Sequence, residues 1–192
     1  MALAQLQTAL ARLFTDAGLV EAFCLDPLAT ARRLGLAAKD VEVFAALDAA
    51  AVQNFASTLT RKRILDVRKT LPLTYRALGS DFDTLLVAEI AGPPRPGRHR
   101  ADAALLARLL AARAAQGAAS PSWIGDLARY EATFLVFERP GRGVAIRSFH
   151  FPLKILIGAL LSGERPGEVA PRPGFGLWLR LTKSSGLIHL LW

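Results

Sequence analysis

The run Phe175-Gly176-Leu177-Trp178-Leu179-Arg180-Leu181 and the returning Leu187-Ile188-His189-Leu190-Leu191-Trp192 decide the fold class. In the first run Phe175, Leu177, Leu179 and Leu181 alternate with Gly176, Trp178, Arg180 and Thr182, the period of two that a strand gives. Lys183-Ser184-Ser185-Gly186 supplies a turn, so the two runs predict a terminal β-hairpin. Leu177, Leu179 and Leu181 are expected to pack on helices, with Trp178 and Arg180 on the opposite face. Upstream, apolar residues recur at helical spacing. The expected class is therefore α+β: a mainly helical N-terminal domain with a small C-terminal antiparallel sheet. The division expected is residues 1–120 and 121–192, with the boundary falling between 120 and 140.

Leu3, Leu6, Leu10 and Leu13 lie on one helical face, and Leu19, Val20 and Phe23 on a second. Asp26-Pro27 starts the next helix, with Asp as cap and Pro at the first helical position, and Gly35 ends it. A short helix is expected over 40–47. Asp48 opens a longer one carrying Val52, Phe55 and Leu59 and running towards Leu71, where Pro72 breaks it. Ser80-Asp81-Phe82-Asp83 resembles a capping box. Residues 91–100 hold Gly92, Pro93, Pro94, Pro96 and Gly97 and read as a linker. Helix is expected over 101–116, and again after a Ser122 cap through Trp123, Leu127, Tyr130 and Phe134. Gly141-Arg142-Gly143 is a turn, 144–151 is strand-like, and 152–161 returns to helix.

The chain has 192 residues and a formal charge of +8. It is long enough to bury a sizeable core without cross-links. No segment approaches the roughly 18 uncharged apolar residues of a membrane span, and residues 1–13 lack the pattern of a signal peptide. The expectation is a cytoplasmic protein. Cys24 is the only cysteine, which excludes an internal disulfide. It stands between Phe23 and Leu25 and reads as a buried packing residue.

Little in the sequence carries catalysis or metal binding. His99, His150 and His189 are far apart, and no metal-ligand spacing is visible. There is no nucleophile elbow, and Gly141-Arg142-Gly143 is not a phosphate-binding loop. Asp126 and Glu131 lack the neighbours that would set an acid and a base apart. Acidic residues read as caps and exposed helix faces. No catalytic residue, metal ligand or cofactor site is assigned to this chain.

Two stretches carry binding potential. Arg61-Lys62-Arg63-Ile64-Leu65-Asp66-Val67-Arg68-Lys69 sets a basic stripe along a helix, with Arg61, Arg63 and Arg68 as candidates for a partner or peptide surface. The same stripe fits a solvated face with local ion pairs. The terminal hairpin is the second. An open sheet edge accepts an extended peptide by strand addition, with Leu177, Trp178, Leu179, Arg180, Leu181, Leu187, Ile188 and His189 as candidates. The alternation equally suits an edge that the protein covers itself.

The order of several motifs resembles a known bacterial family. Asp26-Pro27, Arg32-Arg33-Leu34-Gly35-Leu36, Phe55-Ala56-Ser57-Thr58-Leu59, and Leu71-Pro72-Leu73-Thr74-Tyr75-Arg76-Ala77-Leu78-Gly79 match its N-terminal domain. Pro121-Ser122-Trp123-Ile124 with Leu127-Ala128-Arg129-Tyr130-Glu131 looks like a second marker. The resemblance spans roughly residues 10–135, with a looser match over 172–180; Phe149-His150-Phe151-Pro152 departs from the more polar segment of some relatives. These are partner proteins of multinuclear non-haem iron oxidative enzymes in peptide natural-product pathways, among them methanobactin and 3-thiaglutamate biosynthesis. The resemblance implies a non-catalytic subunit in a heterodimer. It would bind a ribosomal precursor peptide by its leader and dock on an iron-dependent TIM-barrel enzyme that modifies peptide cysteines. Iron is expected in the partner enzyme, and no cofactor in this chain. A methanobactin pathway, whose product chelates copper, is the first expectation and a 3-thiaglutamate-type pathway the second. A DNA-binding regulator is the alternative that the charge suggests, although no helix-turn-helix readout is visible.

Overall fold

A computed structural model of the chain describes residues 2–90, 92, 95–137, 141, 143–182 and 185–192. These form ten α-helices and one three-stranded antiparallel sheet, the α+β class expected. The helices are α1 (Ala2–Thr15), α2 (Ala17–Leu25), α3 (Pro27–Arg33), α4 (Ala38–Ala45), α5 (Ala49–Thr70), α6 (Pro72–Leu78), α7 (Ser80–Glu89), α8 (His99–Ala115), α9 (Ile124–Phe134) and α10 (Leu153–Leu161). The strands are β1 (Gly143–Phe149), β2 (Gly174–Arg180) and β3 (Ile188–Leu191). The turns read at 141–143 and 183–186 involve Arg142, Lys183 and Ser184, which lie outside the described residues. So do Ala91, Pro93 and Pro94 of the expected linker. No helix of the described residues is long and apolar enough to cross a membrane.

The chain groups into two compact units: Met1–Asp66 with Val87–Arg98, and Val67–Leu86 with His99–Trp192.

In the first unit, side-chain caps set the helix starts. The Asp16 carboxylate accepts from the N–H groups of Gly18 and Leu19, Asp26 from Ala29, and Asp48 from Ala50 and Ala51. Gly35 follows α3 at φ +74°, a left-handed stop that glycine adopts without strain. The core gathers Leu13, Leu19, Phe23, Ala31, Val41, Phe44 and Val52, with Phe23 and Phe44 edge-to-face at 5.5 Å. Cys24 is exposed, against the expectation. On α2 the buried positions are Leu19 and Phe23, four apart, and the residue after Phe23 turns roughly 100° away from that stripe.

In the second unit α9 lies close along α8. A Cβ on Gly125 would stand 2.8 Å from the Ala114 Cβ and 2.9 Å from the Ala111 Cα, so only glycine permits that approach. Asp126 and Glu131 of α9 are buried. Asp126 accepts from the N–H groups of His150 and Phe151, at 2.6 and 3.2 Å, and so fixes the chain leaving β1. Ser122 does not cap α9; its N–H and hydroxyl donate to Glu168, while Trp123 Nε1 donates to the Gly167 carbonyl at 2.8 Å. Together these bonds pin the long connection that leads into β2.

Candidate functional site

The sheet has the order β1-β2-β3, so β2 has a neighbour on both sides while, among the described residues, β1 and β3 each have a strand on one side only. The sequence reading left β1 unpaired. In the structure it pairs along its whole length with β2: Val144 opposes Leu179, Ile146 opposes Leu177, and Ser148 opposes Phe175. On the other side Leu179 opposes Ile188, Leu177 opposes Leu190, and Trp178 opposes His189. Phe175 and Trp192 exchange both backbone hydrogen bonds, at 2.9 and 3.1 Å, and extend the ladder to residue 192.

Directly opposed residues share a face, so the register sorts every side chain. One face carries Ala145, Trp178 and His189 in one row and Gly176 and Leu191 beside it. This face is turned inward. Trp178 is fully buried, its ring centroid 5.6 Å from Tyr130, 5.7 Å from Phe134 and 5.4 Å from His189. Burial, with the Glu131 charge adding to it, pushes the Tyr130 phenol up to about 12. Burial also pushes His189 below the ordinary histidine value. Trp178 Nε1 and His189 Nε2 are enclosed with no hydrogen-bond partner among the described residues, so the indole is held by contact area and ring geometry.

The facing is therefore the reverse of the one expected. Leu177 and Leu179 are half-buried on the outer face and Leu181 is exposed. Size decides the matter. The indole buries more apolar surface than any leucine, and Gly176 beside it vacates the room it needs. Arg180 lies on the inner side and donates to the Phe137 carbonyl. Leu187 is half-buried, Ile188 exposed and His189 half-buried. Main-chain groups for an added strand thus belong to β1 and β3. Leu177, Trp178, Leu179 and Arg180 sit on the central strand and could reach a ligand only through side chains; for Trp178, burial closes that route.

The basic stripe divides as well. Arg61 is exposed. Arg63 donates to the carbonyls of Ile90 and Gly92, at 3.0 and 2.9 Å, and so ties α5 to the chain that follows α7. Arg68 pairs with Asp83 in a two-pronged bond and lies over the Tyr75 ring, 4.4 Å from its centroid. Asp83 therefore serves Arg68 rather than a capping box. Both guanidinium groups are engaged inside the chain.

Sequence reasoning also missed the outer face. Val144, Ile146, Phe175, Ile188, Leu190 and Trp192 are all exposed, and with Leu177 and Leu179 between them they form one apolar surface. The signal was present in Val144-Ala145-Ile146, whose alternation matches that of β2. Among the described residues no group of three or more His, Cys, Asp or Glu is placed to hold a metal ion. No protein-family model and no curated protein matches the chain.

Proposed function

We propose that this chain is a non-catalytic partner subunit. It binds an extended precursor peptide through its leader segment and docks on an iron-dependent TIM-barrel oxidative enzyme that modifies peptide cysteines, in methanobactin biosynthesis. The single observation that carries the peptide-binding part is the sheet, which leaves β1 and β3 with one strand neighbour each. An edge strand offers unpaired N–H and C=O groups to an incoming strand, and side chains at alternate positions then select its sequence. β3, with Ile188 and His189, is the shorter edge; β1 is the longer, with Val144 and Ile146 exposed along it. The iron-enzyme partner rests on the motif order of residues 26–36, 55–79 and 121–131.

The test is co-expression of the chain with the iron enzyme and the precursor peptide. Pulling on one component and quantifying the other, together with iron, should return a near one-to-one complex with iron in the enzyme. Separate elution of the two proteins with peptide present would sink the reading. Retention of duplex DNA at low salt, falling steeply as salt rises, would move a regulator to the front.

A further inference from the structure

The outer face of the sheet is largely apolar. Its two complete rows are Val144–Leu179–Ile188 and Ile146–Leu177–Leu190, flanked by Phe175 and Trp192. Val144 and Ile146 are each 64% exposed, Leu190 52% and Ile188 49%. A contiguous apolar patch on the order of several hundred Å² is the size at which monomer surfaces become binding surfaces. β-branched and leucine side chains in register across three strands are also the packing surface of a sandwich, one layer short.

The surroundings say what the missing layer carries. Neither Asp nor Glu occurs between residues 139 and 163 or between 169 and 192, so the three strands and their immediate flanks contain no acid. In the sequence the strands are flanked by basic residues instead, Arg142 before β1, Arg172 before β2 and Lys183 after it, and Arg172 is exposed. A second copy would set one basic rim against another. A partner whose own apolar patch is bordered by carboxylates meets both the face and the rim. A lipid surface of anionic headgroups matches the charge too, and the experiment below separates it from a protein partner.

We infer that the outer sheet face is the docking surface for the partner enzyme, which presents an apolar patch rimmed by Asp and Glu. It uses the outward side chains, whereas a peptide added at β1 or β3 would use the main chain of those same strands. This inference rests on the partner-subunit reading.

The experiment measures association of the full chain with the iron enzyme, without peptide, by size exclusion and calorimetry. The chain is used as wild type, as I146E/L190E, and as V144E/I188E. Circular dichroism and the urea-unfolding midpoint check the fold of each, so one failed variant leaves the other to be read. The expected result is a wild-type complex and affinity about tenfold or more lower in a folded variant, with Arg172→Glu weakening it in the same direction. Folded variants that bind within about twofold of wild type would overturn the docking face and leave the partner reading intact. Absence of a wild-type complex would overturn both. Wild-type dimerisation abolished by I146E/L190E would assign the face to a second copy. Co-sedimentation with phosphatidylglycerol vesicles that the enzyme does not displace would assign it to a membrane.

Discussion

The Cα of Gly176 points at the indole of Trp178. A Cβ at position 176 would stand 2.6 Å from Trp178 Cη2 and 3.2 Å from Phe149 Cε2. Neither ring can move far, because both are buried, Trp178 against Tyr130, Phe134 and His189 and Phe149 against Tyr130. Gly176→Ala is therefore expected to cost about 1–3 kcal/mol, the range for overpacking a filled core. Urea unfolding followed by tryptophan emission measures it. An unchanged midpoint would show that the inner face has slack.

The same pair explains what the sequence could and could not reveal. Strand existence was legible in the alternation of residues 175–181, and helix starts in Asp26-Pro27 and Asp48. Facing was not, because alternation is symmetric: it says that two sets of residues part company but not which set goes inside. Counting leucines chose the wrong set, whereas side-chain size and the glycine two positions before Trp178 choose the right one. Pairing of β1 was hidden because the two strands are separated by α10 and the long connection, and register across such a gap is set by tertiary packing. The basic stripe was legible as charge, but its partners Asp83, Ile90 and Gly92 lie 15 to 29 residues away.

Glu131 offers a stability test. Its carboxylate accepts from the N–H groups of Leu73 and Thr74, at 2.7 and 2.8 Å, and from the Thr74 hydroxyl at 2.7 Å. It thereby caps α6, whose Pro72 start leaves those N–H groups without helical partners. Burial raises the carboxyl above its ordinary value, against the pull of these three bonds. Glu131→Ala strands buried donors and is expected to destabilise by about 3 kcal/mol. Glu131→Gln keeps one acceptor oxygen and should recover part of the loss in the same denaturation assay.

Arg68 and Arg61 are predicted to behave differently although one helix carries both. Arg68 is tied to Asp83 and stacked on Tyr75, and both partners of the ion pair are partly exposed. Arg68→Ala should cost about 1 kcal/mol, the upper range for such a pair. Exposed Arg61 should be replaceable by Ala within about 0.5 kcal/mol. Thermal unfolding of the two variants decides this, and a clear loss at Arg61 would show a contact that its exposure does not suggest.

His189 makes stability depend on pH. The imidazole packs 5.2 Å from Phe134 and 5.3 Å from Tyr130, and burial holds its value in the folded chain below the ordinary 6.5. A base with a depressed value takes up its proton more readily when unfolded. Between 6.5 and the lower folded value the unfolded chain therefore binds more protons, so stability must fall as pH falls through that window. Above 6.5 the imidazole is neutral in both states and its contribution is flat. Urea unfolding at pH 7.5 and pH 5.5 should give a lower midpoint at the acid pH. His189→Phe, which keeps a ring against Trp178 but cannot be protonated, should shrink the difference. Because the imidazole of the folded chain stays neutral through that window, tryptophan emission of the folded chain, including that of Trp178 directly opposite His189, should hold constant while the midpoint falls. A midpoint difference between pH 7.5 and 5.5 that persists undiminished in His189→Phe would place the responsible proton elsewhere in the molecule.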